Sequence, residues 1–310
     1  MLKKELFVGI EIGGTKLQIV SGNADGQVFF SHRFEVMSKE GATGIQHRIE
    51  AIIKEHFIGR VTAIGIGFGG PVNRITGQIA TSFQVEGWSG FPITAWLEAI
   101  ADCPVRVDND ANVAALGEAT FGAGKGFNPV LYITLGSGMG AGLVINDEIY
   151  HGILPGELEI GHMRMDKAGS ILEARCSGWA VDRKIREVIA KHPRGILAEL
   201  AGEAKKGEAR FLKAAMDAND PPALRIFDET MDDLAFGLSH AIHLLHPEVI
   251  VLGGGLSLIG EQLRNSVNER LPAYLMKAFV PAPVIALSAL KEQAVPVGCL
   301  ILAGQLNKQR

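Results

Sequence analysis

A chain of 310 residues, 47% apolar and 21% charged, is long enough for one large domain or two smaller ones, each with a real core, and this excludes a disordered chain. The formal net charge of −4 leaves no basic footprint for nucleic acid. Three scattered cysteines, Cys103, Cys176 and Cys299, form no CxxC pair, which argues against a disulfide framework and a cysteine-rich zinc site and for a reducing cytoplasm.

The first apolar run, Phe7–Ile12, is interrupted by Glu11 and closed by Gly13 and Gly14, so it reads as a strand and fails as a signal peptide. A tight turn, Gly13-Gly14-Thr15-Lys16, leads into a second strand over Leu17–Ser21. Further strands are expected over Val28–Val36 and Val61–Gly67, and Ile45, Ile49, Ile52, Ile53 and Phe57 recur at helical spacing between them. A short strand over Pro104–Val107 precedes an alanine-rich helix over Ala111–Phe121, and glycines at 122, 124 and 126 mark a break. Leu131–Ile145 then repeats the opening pattern of strand, glycine turn and strand, with Thr134, Gly136, Ser137 and Gly138 at the turn. The uncharged stretch between Lys125 and Asp147 raises the membrane question, but five glycines with Asn128 and Pro129 make it a poor spanning helix. After Gly161 the chain turns helical through Ala218. A long amphipathic helix over Pro221–His246 follows, with Leu224, Phe227, Met231, Leu234, Leu238, Ile242 and Leu245 along one stripe. A strand over Val249–Leu252 enters the cluster Gly253-Gly254-Gly255, followed by a helix near Leu258–Leu271, a strand over Val284–Leu287 and a final helix from about Val295. The chain is α/β, with two similar halves.

Glycine lets backbone N–H groups approach an anion and point at it, so the two glycine turns read as phosphate cradles, with Lys16 adding a cation to the first. Two cradles from two halves of one chain suggest two domains closing on a nucleotide. Neither is a Walker A loop, and GSGMGAG lies between strands, unlike a dinucleotide fingerprint. Gly253–Gly255 follow a fully apolar strand, where α/β proteins hold ligands. In VRVDNDANVAALGE, Asn109 and Asp110 fall at a helix N-terminus. A cap explains one of Asp108, Asn109 and Asp110 and leaves the others over-supplied. A carboxylate there is expected to stay ionised in the helix dipole and to accept a hydroxyl proton during phosphoryl transfer. GELEIGHM places Glu159 and His162 three apart, and Glu173 follows in ILEARCSG. Structural roles explain each of these singly; with Asn109 and Asp110 they form a set able to read several neighbouring hydroxyls, as a sugar site requires.

IEIGGTK, RVDNDANVAALGEATFGAGKG, LYITLGSGMGAGLVI, GELEIGHM, ILEARCSG and PEVIVLGGG resemble, in that order and over essentially the whole chain, the ROK family of repressors, open reading frames and kinases. The resemblance implies a two-domain actin-like ATPase fold, hexokinase-type and ribonuclease H-like. A small α/β domain over 1–112 would be completed by a C-terminal helix over about 296–310, and 113–295 would form the larger domain. It implies Asp110 as catalytic base, and Gly70, Gln84, Asn109, Glu159, His162 and Glu173 as sugar contacts. Gly13, Gly14, Thr15 and Lys16, then Thr134, Gly136, Ser137 and Gly138, and Gly253, Gly254 and Gly255 would bind ATP. Mg2+ would travel with ATP, with Glu11 reaching it through water.

The chain departs from the family pattern at four places. Glu11 replaces the usual aspartate of the first glycine motif. The cysteine-rich zinc loop is missing between His162 and Glu173, so no structural zinc is expected. Phe68–Val72 reads FGGPV, and Gln84 stands where glucose-type members carry Asn. The implied activity is ATP-dependent transfer to the 6-hydroxyl of a hexose, glucose first, then fructose, mannose and N-acetylhexosamines, with polyphosphate as an alternative donor. A cytoplasmic homodimer without nucleic-acid or membrane partners is expected. Two rivals are a sugar-responsive regulator, for which no helix-turn-helix precedes the first glycine motif, and a sugar-binding scaffold without catalysis, against which Asp110 stands.

Overall fold

The computed structural model describes residues 5–82, 85–154 and 158–308. Contacts divide the chain into two compact units, residues 1–126 with 142–157 and 289–310, and residues 127–141 with 158–288. The expected division at 112 cuts a helix that the first unit keeps whole.

The first unit is built on strands β1 (Phe7–Ile12), β2 (Lys16–Gly22), β3 (Val28–Glu35), β4 (Ala63–Phe68) and β7 (Val105–Asn109), in the order β3-β2-β1-β4-β7. Between β4 and β7 lie the two-residue strands β5 (Val72–Asn73) and β6 (Gln78–Ile79) and helix α2 (Ile93–Ala101); α1 (Gly41–His56) precedes β4 and α3 (Asp110–Phe121) follows β7. β2 returns antiparallel on β1, whereas β1, β4 and β7 run parallel. Their registers pair Ile12 with Phe68 and Phe68 with Asn109. The residues that come next, Gly13, Gly69 and Asp110, therefore emerge side by side from the carboxyl edge of one sheet, the edge where α/β proteins place ligands. One face of the sheet buries Ile10, Ile12, Ile64 and Ile66 against Ile45, Ile49 and Ile53 of α1. The other buries Phe7, Val20 and Ala63 against Leu300 and Ala303 of the last helix, α10 (Ala294–Lys308). α3 and α10 cross closely because a Cβ on Gly298 would fall 1.9 Å from the Val113 carbonyl and one on Gly117 2.5 Å from that of Ala294. That crowding explains the alanine and glycine content of α3.

The second sheet has the order β10-β9-β8-β11-β12, with β8 (Val130–Leu135), β9 (Met139–Ile145), β10 (Glu148–Ile149), β11 (Val249–Gly253) and β12 (Val284–Leu287). β8 and β11 run parallel and pair Thr134 with Gly253, so the second glycine turn and the triple-glycine cluster also leave one edge together. Helices α4 (Leu172–Cys176), α5 (Gly178–Lys191), α6 (Ile196–Ala201), α7 (Leu212–Asp217), α8 (Pro221–Leu245) and α9 (Glu261–Arg270) fill the rest. The stripe expected on α8 is buried at Phe227, Met231, Leu234, Leu238 and Ile242, but Leu224 is 38% exposed and Ala223 is the buried residue of the first turn. Asp220 caps that turn by accepting from Ala223 N, which sets the helix phase one residue away from Leu224. The helix expected near Leu258–Leu271 is split: a 3-10 turn over Gly255–Ile259 precedes α9. No described helix is long and apolar enough to cross a membrane.

Candidate active site

Each member of the Asp108-Asn109-Asp110 run has a separate position. Asn109 is the cap, its Oδ1 accepting from Ala111 N at 2.9 Å and Asn112 N at 3.3 Å. Its Nδ2 donates to the Gly70 carbonyl at 3.3 Å, so one remaining N–H is all it can offer a hydroxyl. Asp108, 1% exposed, accepts from Asn109 N, from Asn112 Nδ2 at 2.9 Å and from the ring of His151 at 2.7 Å. Asp110 is left over, with its side chain beside Gly69. A Cβ on Gly69 would lie 3.3 Å from Asp110 Oδ2, and Gly13, Gly14, Trp88 and Ser82 line the adjoining space.

The expectation of a permanently ionised Asp110 is overturned. Burial is the largest cause and the negative charge of Glu11 the next, lifting its carboxyl from 3.8 to about 7. The backbone N–H groups of Ala111 and Asp110 and the Lys16 cation oppose the rise without cancelling it. The dipole argument fails because α3 starts inside the protein, where desolvation outweighs a half-charge. A carboxyl balanced near neutrality suits a general base. Glu11 itself is raised by burial, and Lys16 Nζ, 2.7 Å away, restrains it. The cation and the acid expected to serve phosphate and metal thus hold each other. Gly13 N donates to Lys16 O, closing the turn, and Thr15, exposed at its tip, accepts from Val36 N through its carbonyl.

In the second unit, Gly254 takes a left-handed φ of 79°, and a Cβ there would strike the Leu135 backbone at 2.5 Å. Only glycine lets this cluster lie against the turn Thr134–Gly138. Gly255 has open space around it. Gly136 O accepts from Gly178 N and Ser137 O from Trp179 N, pinning the turn to the start of α5. Glu173, on α4, accepts from Met139 N through Oε2 at 2.8 Å. Its position is fixed by the second glycine turn, and Oε1 carries whatever it offers a hydroxyl. Glu159 precedes and His162 ends a 3-10 turn over Ile160–His162; both are exposed, and His162 N donates to Glu159 O.

The first unit therefore gathers Glu11, Gly13, Gly14, Lys16, Gly70, Asn109 and Asp110. The second gathers Thr134, Gly136, Ser137, Gly138, Glu173, Gly253 and Gly254. Gln84 lies outside the described residues. Gly69 and the Asp108–His151 pair escape sequence reading. The doubled glycine of FGGPV was a signal for the first; the second joins residues 43 apart and leaves none.

Among the described residues no group of three His, Cys, Asp or Glu side chains can hold a metal ion. The segment between His162 and Glu173 has no cysteine, and the oxygens of its acid, Asp166, are taken by Gly169 N, Ser170 N and Arg175. This donor set does not fit zinc.

Fold and site together define an α/β protein with paired glycine turns and a near-neutral carboxyl at a strand end. The ROK family profile matches residues 7–306. The glucokinase of Thermotoga maritima is 31% identical over 318 residues, covering 100% of this chain and 99% of that one. A ROK family glucokinase from Streptomyces griseus, crystallised with glucose and AMPPNP, superposes with a TM-score of 0.83 at 28% identity, covering 97% and 99% of the two chains. The ROK hexokinase of Thermus thermophilus does so at 0.80 and 26%, covering 98% and 100%. The chain belongs to the ROK family.

Proposed function

We propose that this protein is an ATP-dependent hexose kinase that transfers the γ-phosphoryl group to a sugar 6-hydroxyl, with glucose as the first substrate. The observation that carries the reading is Asp110, poised near neutrality at the end of β7 and beside the Gly13–Lys16 turn. Similarity to the glucokinases named above supports it.

Asp110 orients the hydroxyl and takes its proton as the phosphoryl group leaves ATP. Its proximity to Glu11 keeps the proton affinity high enough for that transfer. The first unit contributes this base and one glycine turn for phosphate oxygens. The second contributes the Thr134–Gly138 turn, the Gly253–Gly255 cluster on the adenosine side, and Glu159, His162 and Glu173 as sugar contacts. Mg2+ bound with ATP would neutralise charge on the transferring group, with Glu11 facing its water shell. A homodimer and a cytoplasmic location belong to the same proposal; mass in solution tests the first.

The decisive experiment measures ADP release from Mg-ATP across hexoses and N-acetylhexosamines, with Asp110→Asn as control. Sugar-dependent turnover that collapses in the variant is expected. Silence with every sugar overturns the kinase, and turnover surviving in the variant overturns Asp110 as base.

A further inference from the structure

The segment Met163–Leu172 is a closed hairpin. Met165 N donates to Ser170 O, Leu172 N to Met163 O, and Arg164 bridges Ile171. Asp166 Oδ1 accepts from Gly169 N at 2.9 Å and Ser170 N at 3.1 Å, folding the tip. One side chain outside the hairpin ties it down. Arg175, on α4, donates Nε to Ser170 Oγ at 2.7 Å, one Nη to Asp166 Oδ2, and the other to Asp233 Oδ1 on α8 at 2.9 Å. The planar guanidinium fork meets three acceptors from two elements, which a lysine ammonium cannot copy. Asp233 first, then Asp166, hold the guanidinium charged.

The hairpin is flanked by two of the proposed sugar contacts. His162 immediately precedes it, and Glu173 immediately follows Leu172, whose side chain is buried and packs where a Cβ on Gly237 of α8 would stand. Glu173 is also the acceptor for Met139 N at the second glycine turn. We infer that Arg175 is a positioning residue for sugar binding: it locks the hairpin to α8 and so fixes the spacing of His162 and Glu173, a task that this donor set leaves to an ion-pair network and not to a metal. The inference rests on the proposed function for its kinetic consequence and on the hydrogen bonds alone for its mechanical one.

The groups are about one-third exposed, so removing the network costs little global stability. It should cost placement. Arg175→Ala is expected to raise the sugar KM about tenfold while the ATP KM stays within about twofold. Arg175→Lys and Asp166→Asn should fall between. Millimolar guanidinium added to Arg175→Ala should lower the sugar KM again, and raised ionic strength should raise it in the unaltered protein but not in the variant. Hydrogen exchange reads the same lock without turnover: the Leu172 and Met139 amides should exchange faster in Arg175→Ala, and the Gly178 amide should not. Unchanged sugar KM and unchanged exchange in all three variants would overturn the inference, as would equal rises in both KM values. If the unaltered protein phosphorylates no sugar, the proposed function falls and the exchange data alone decide the lock.

Discussion

Replacing Asp110 by Asn should make the protein inactive and, at neutral and alkaline pH, more stable. The carboxyl of Asp110 rises from 3.8 in the unfolded chain to about 7 in the fold. The native state therefore holds this proton more tightly than the unfolded one. Its contribution to stability is fully present below the unfolded value, falls as pH rises, and levels off above about 7. At about 1.4 kcal/mol for each pH unit, the ionised carboxylate costs on the order of 4 kcal/mol. Water reaching the half-buried residue trims that figure. Between about pH 5 and pH 8 the gap between Asp110→Asn and the unaltered protein should widen by about 2 kcal/mol in favour of the variant. Urea unfolding of both proteins at the two pH values, followed by tryptophan fluorescence, measures it. A gap that stays constant, or a variant less stable at pH 8, would refute the claim that burial and Glu11 hold the proton on Asp110.

The same proton sets the rate. Sugar kcat/KM should climb through about pH 7 and then flatten, and Glu11→Gln should move that limb to lower pH, because the Glu11 charge is one cause of the rise; an unmoved limb in a pH–rate profile would uncouple the two acids. Asp108→Ala leaves Asn112 Nδ2 and the His151 ring without their acceptor, so thermal unfolding should show a loss of roughly 2–4 kcal/mol and kcat should fall with it. Gly298→Ala drives a methyl into the Val113 carbonyl and should destabilise by roughly 1–3 kcal/mol, read by the same melt. Gly138→Ala would put a Cβ 2.6 Å from Glu173 Oε2. It should raise the sugar KM and spare α3.

Much of the scaffold was legible because it rests on local pattern. β12 follows from an unbroken apolar run, β1 from an apolar run closed by glycines, α1 from helical spacing, and Gly13–Lys16 from turn chemistry. The convergence of Gly13, Gly69 and Asp110 depends on strand register, a pairing over long sequence separations that no local pattern carries. Asp108 and Asp110 look equivalent on paper. Burial and partners separate them, one saturated by three donors and the other left for chemistry. The ionisation of Asp110 was misjudged because the dipole at a helix start is a sequence-level rule, whereas desolvation depends on what else packs there. Arg175 gave no signal, since its acceptors lie five, nine and 58 residues away on two separate elements.

The packing of α10 on β1 and β4 has a consequence for how the chain is made. The first unit's sheet is complete in sequence by Asn109, yet on one of its faces Phe7, Val20 and Ala63 pack against Leu300 and Ala303 of α10. At ribosomal rates of about 5–20 residues per second, the intervening stretch takes on the order of ten to forty seconds to synthesise. Throughout that interval Phe7, Val20 and Ala63 lack their partners, a window for chaperone capture or for misassembly between nascent chains. Native structure in the first unit should therefore wait for the last helix to leave the ribosome.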